Sequence, residues 1–140
     1  MKIYLDIDET ILYNTTEKEG NMMCLKSYPA KYLKEFLKNA LERHQVYWLT
    51  THCDGDATVP VLYLSKYFDQ ELMDLIIRIK PTRWANRKIE AINLKEDFLW
   101  FDDVLLGTEE KELKEAGKLQ SYINVNLDKN EDFWQDWLKI

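Results

Sequence analysis

The chain has 140 residues, 46% of them apolar, and carries 25 acidic against 19 basic side chains for a net charge of −6. That is apolar material for one buried core and too little chain for a second, so a single domain over residues 1–140 is expected. Interleaved charges exclude a general pull toward nucleic acid or membrane, no run reaches the roughly 18 apolar residues of a bilayer span, and Cys24 and Cys53 lack zinc-site spacing.

The first stretch, Met1-Lys2-Ile3-Tyr4-Leu5, reads as an apolar strand running straight into Asp6-Ile7-Asp8-Glu9-Thr10. Strand periodicity predicts Asp6 and Asp8 on one side, where two carboxylates repel unless a cation compensates, and magnesium (Mg2+) is the first candidate. Residues 11–28 read as a flap or hairpin around Asn14, Gly20 and Asn21, and Pro29 is suited to open a helix. Residues 30–43 place Tyr32, Leu33, Phe36, Leu37, Ala40 and Leu41 on one helical stripe. Val46 to Leu49 is a second strand ending at Thr50-Thr51, and Ala57 to Phe68 a helix with Pro60 in its first turn.

Leu75 to Ile79 reads as a third strand and residues 83–93 as a third helix. Phe98 to Phe101 is a fourth strand stopping at Asp102-Asp103. A short helix from Thr108 ends at Gly117, Tyr122 to Asn126 is a fifth strand, and Phe133, Trp134, Trp137 and Leu138 sit on a final amphipathic helix. The alternation predicts an α/β fold, a three-layer Rossmann-like sandwich of five mostly parallel strands with helices on both faces and no large cap domain. The amino terminus reads as a strand and not a signal peptide. With the cysteine usage, that predicts a cytoplasmic protein with no membrane partner.

Ligands of such sheets sit beyond the carboxyl ends of the strands, so Asp6 and Asp8, Thr50 and Thr51, and Asp102 and Asp103 form one candidate site. Trp48 and Trp100 read as core, Trp134 and Trp137 as anchors of the last helix, and His52, Cys53, Asp54 and Asp56 as a polar loop with a capping aspartate.

An apolar strand followed by Asp-x-Asp-x-Thr (Asp6, Asp8, Thr10), a second ending in Thr50, a lysine upstream of the last acids, and a strand ending in Asp102-Asp103 occur in that order. This set resembles the haloacid dehalogenase superfamily over essentially the whole chain, as a small, nearly capless member. An acid at the Asp8 position accompanies the superfamily's phosphatases and phosphomutases, so the resemblance implies phosphomonoester hydrolysis.

The roles it implies suit the chemistry. Asp6 would be the nucleophile that forms an aspartyl-phosphate, and Asp8 the acid and then the base, which calls for a carboxyl with a raised pKa. Thr50, or its neighbour Thr51, would bind a phosphoryl oxygen, and a lysine would neutralise developing charge. The resemblance offers Lys88 and Lys80 for that lysine, with Lys88 the choice. Asp6, the Asp8 main-chain carbonyl and Asp102 would hold magnesium, with Asp103 as a further or supporting ligand. Thr10, Thr51 and Trp84, four residues before Lys88, are the substrate-binding candidates.

A capless site would act on an oligonucleotide end or a phosphoprotein, or borrow a lid by oligomerising to hold a small molecule. Two other classes remain: a receiver-like phosphoacceptor, whose motif order differs from this one, and a non-catalytic interaction protein of the same fold.

Overall fold

A computed structural model describes residues 1–140. In chain order it contains β1 (Lys2–Leu5), β2 (Leu12–Glu19), β3 (Met22–Pro29), α1 (Leu33–Arg43), β4 (Gln45–Trp48), α2 (Thr58–Leu64), α3 (Gln70–Ile76), β5 (Phe98–Asp102), α4 (Gly107–Glu115) and β6 (Tyr122–Asn124). Short 3-10 turns cover Lys88–Ala91, Leu119–Ser121 and Phe133–Trp137. Four strands form one parallel sheet in the order β4-β1-β5-β6, an α/β arrangement compatible with a Rossmann-like fold. No helix is long and apolar enough to cross a membrane.

Strand alternation divides the core between the two faces of this sheet. Ile3, Leu5, Val46, Trp48 and Phe101 meet α1, α3 and Trp134 on one face. Tyr4, Phe98 and Trp100 meet Ile89 and Leu113 on the other. Phe36 shows why α1 docks: it is fully buried, with its ring 4.3 Å from Trp134 and 5.9 Å from Phe101. Each such side chain contributes on the order of 1.5–3 kcal/mol of transfer free energy.

The expected flap is a separate two-stranded hairpin, β2 against β3, closed by Gly20-Asn21 with Glu19 opposite Met22. Gly20 has φ of 60°, the left-handed conformation that two-residue hairpin turns require. Pro29 ends β3 instead of opening a helix, and α1 begins four residues later, after Tyr32 in a left-handed conformation.

Three other expectations differ. The sheet has four strands, because Leu75 to Ile79, expected as the third strand, does not form one: Gln70–Ile76 is α3, and only Lys80 bridges to Tyr47. The Asp69 carboxylate accepts from Leu72 N at 2.8 Å as an N-cap, and Leu72, Met73, Leu75 and Ile76 are buried at helical spacing, which overrides the strand preference of the isoleucines. The helix over 83–93 shrinks to Lys88–Ala91, where Glu90 turns back to accept from Arg87 N and Asn86 N. The terminal helix is the 3-10 turn Phe133–Trp137, held by burial of Trp134 and its Nε1 donation to Thr10 O at 2.9 Å.

Candidate active site

Because β4, β1 and β5 are neighbours and parallel, their carboxyl ends open on one edge and deliver Thr50, Asp6 and Asp102 to it. The chain after β1 then folds tightly on itself: Thr10 N, Ile11 N and Leu12 N all donate to Ile7 O at 3.0 to 3.1 Å. Glu9 takes a left-handed φ of 61° to make this turn, and its carboxylate accepts from Asn14 N at 3.2 Å. Asp6 is thereby fixed at the strand end, with Thr10 Oγ1 donating to its Oδ2 at 3.4 Å.

Three carboxylates converge here. One oxygen from each of Asp6, Asp102 and Asp103 lies within 4.8 Å of the others, with Asp6 and Asp102 buried. Lys88 Nζ sits between two of them, 3.2 Å from Asp6 Oδ1 and 2.6 Å from Asp102 Oδ2. Asp102 also accepts from Trp100 Nε1 at 3.3 Å and from Val104 N at 3.2 Å.

Burial and then the charge of Asp102 push the Asp6 carboxyl up to about 6, against the pull of Lys88. Burial likewise raises Asp102 and Asp103. Lys88 is itself desolvated, but the charges of Asp6 and Asp102 outweigh that and hold its ammonium above the ordinary lysine range. Three acids share one cation, so the cluster keeps an excess of buried negative charge.

The two candidate lysines lie in different surroundings. Lys88 reaches the acids, whereas Lys80 Nζ lies 5.8 Å over the Tyr47 ring. What positions Lys88 is the next residue: Ile89 N donates to the buried Glu109 carboxylate at 3.0 Å, tying the 3-10 turn to α4. A second tie runs from Arg87 Nη2 to Glu112 Oε1 at 2.6 Å. Neither glutamate stands out in the sequence, because each partner lies 20 or more residues away.

Thr50 is fully buried at the end of the neighbouring strand, and its Oγ1 accepts from His52 N at 3.3 Å. Thr51 and Trp84 line a cleft together with Lys88, Asn86 and Val104. Trp84 shares no helix face with Lys88, since the 3-10 turn begins only at Lys88.

Asp8 departs most from expectation. Its carboxylate is not in the acidic cluster. It receives Tyr63 Oη at 2.7 Å and Asn14 Nδ2 at 3.2 Å on Oδ1, and lies 2.8 Å from His52 Nε2 through Oδ2. Partial burial acts to raise this carboxyl, yet the hydrogen bonds from His52, Tyr63 and Asn14 prevail and lower it, opposite to the raised pKa that the acid role calls for. His52, read as part of a polar loop, stacks on Tyr63 with ring centroids 4.3 Å apart. Nothing local in the sequence marks Tyr63, which reaches Asp8 from 55 residues away. Asn14 carries the one available signal, as a polar residue inside the flap.

Compared with known proteins, the chain matches no family model, no curated protein and no solved structure.

Proposed function

We propose that the chain is a magnesium-dependent phosphomonoester hydrolase of the haloacid dehalogenase type that works through an aspartyl-phosphate on Asp6. The observation that carries the reading is Lys88 held between Asp6 and Asp102, with Asp103 alongside, at the adjacent carboxyl ends of β1 and β5. On this reading the fold is a reduced form of the three-layer sandwich. The free Cys24 and Cys53 suit a cytoplasmic setting.

The donor set fits magnesium: all oxygen, three carboxylates, and an excess of buried charge that one ammonium leaves uncompensated. Asp6, Asp102 and Asp103 would hold the ion, with the Asp8 main-chain carbonyl added by the resemblance. When bound it would offset the repulsion between the Asp6 carboxylate and a phosphate dianion.

The chain's own groups do the rest. The Asp6 carboxylate attacks phosphorus as the ester P–O bond breaks, and the Lys88 ammonium and Thr50 hydroxyl stabilise the non-bridging oxygens. Asp8 protonates the leaving oxygen and then takes a proton from the water that releases phosphate from Asp6. Thr10 orients Asp6, while Thr51 and Trp84 border the space for the rest of the substrate. That substrate is a small molecule, an oligonucleotide end or a phosphoprotein. Phosphate release from a panel of these with magnesium, beside an Asp6→Asn control, tests the reading.

One observation favours a second reading. The hydrogen bonds that lower Asp8 disfavour its acid form, so alkoxides would leave slowly and acyl or aryl phosphates readily. A receiver-like phosphoacceptor charged from an acyl-phosphate donor would behave this way. A long-lived phosphoprotein without catalytic turnover would distinguish it.

A further inference from the structure

The Asp8 carboxylate is the meeting point of three segments distant in sequence. Asn14 comes from β2 and is itself backed by Ser27 Oγ of β3, which donates to Asn14 Oδ1 at 2.5 Å. His52 comes from the loop after β4, and Tyr63 from α2. The two aromatic rings are nearly parallel, 17° apart, so each restricts the other, and Tyr67 meets Tyr63 edge-on with ring centroids 5.7 Å apart.

A partly exposed aspartate gains little stability from such attention, because water solvates it well. Three converging donors do something else: they fix its rotamer. Asp8 keeps 40% of its side chain exposed, so it is held without being sealed off.

We infer that Tyr63 and His52, with Asn14, are positioning residues that hold the Asp8 carboxylate oriented toward the water that hydrolyses phosphorylated Asp6. This rests on the phosphohydrolase reading and assigns the clamp to its second half. In that step water oxygen bonds to phosphorus and the bond from phosphorus to the Asp6 oxygen breaks. Asp6 regains its carboxylate, inorganic phosphate departs, and the water proton passes to Asp8. Misplacing such a group by about 1 Å costs on the order of 100-fold in rate.

The test uses p-nitrophenyl phosphate, whose leaving group needs little proton assistance, so that the first half stays fast. Tyr63→Phe keeps the ring that stacks on His52 and removes only the oxygen that reaches Asp8. The lifetime of the Asp6-linked phosphate is then expected to lengthen by roughly 10- to 100-fold. A burst of nitrophenolate should appear and kcat should fall, with kcat/KM changed less than about threefold. His52→Gln, which restores a side-chain N–H donor, should lengthen the lifetime less than His52→Ala. An unchanged lifetime, or equal falls in kcat and kcat/KM with no burst, would overturn the inference and leave the phosphohydrolase reading standing. Failure of the unmutated protein to release phosphate or to become phosphorylated would remove that reading and the inference with it.

Discussion

Lys88 Nζ lies 2.6 Å from Asp102 Oδ2, joining the 3-10 turn before β5 to the end of β5 across a pocket where Asp102 is fully buried. The same ammonium lies 3.2 Å from Asp6 Oδ1, so one cation serves the ends of two neighbouring strands. Breaking a buried pair from one side costs about 3–5 kcal/mol, because the partner is left charged and unpaired. Lys88→Met is therefore expected to lower stability by about that amount at pH 7 without metal, and to cut phosphate release at least ~100-fold. Lys80→Met, whose ammonium sits over Tyr47, should change turnover less than about twofold. Chemical denaturation and phosphate release for the two variants check this.

A second expectation concerns pH. The Asp6 carboxyl is raised from 3.8 to about 6 in the fold. Between those values the native state binds more proton than the unfolded chain, so this group's contribution is complete below pH 3.8 and is lost as pH rises to about 6. The loss amounts to about 3 kcal/mol. Asp6→Asn should remove that pH dependence and be more stable than the unmutated protein at pH 7 without metal. The difference between the two stability curves, in which the opposite contribution of the lowered Asp8 cancels, is the measurement to make.

Magnesium should act on stability through the same residues. An ion that binds only the native state at 100 times its Kd adds about 2.7 kcal/mol. For a domain of this size that raises Tm by about 9 °C. The rise should be lost in Asp102→Asn and weakened in Asp103→Asn, and chelation should reverse it. Thermal melts with and without magnesium give the answer, and an equal rise in all three proteins would count against ion binding at this cluster.

Asp69→Ala checks the element that the sequence pattern misassigns. Loss of the N-cap to Leu72 N should cost about 1 kcal/mol, with no effect on phosphate release, since α3 lies outside the site. A cost near zero would mean that the cap does not hold α3.

These residues also show what a sequence can reveal. Asp6, Thr10, Thr50, Asp102 and Asp103 were legible because each closes or follows an apolar strand, and parallel neighbours bring such ends together without further information. Lys88 was legible only through the order of motifs, since the helix expected around it is one 3-10 turn fixed by Glu109 of α4. Leu75 to Ile79 misled because isoleucine-rich runs suit a strand and a buried helix equally, and the cap at Asp69 that decides the matter sits six residues upstream. His52 and Tyr63 were illegible as partners of Asp8: their contact depends on how α2 packs beside the loop after β4, which no local period encodes.

The most direct test asks where the phosphoryl group goes. The protein is mixed with a turned-over phosphomonoester and magnesium, quenched in acid, digested and examined by mass spectrometry. A hydroxylamine-labile phosphoryl adduct on Asp6, with phosphate release abolished in Asp6→Asn, is the predicted result. Turnover with no adduct, and full activity in Asp6→Asn, would contradict it.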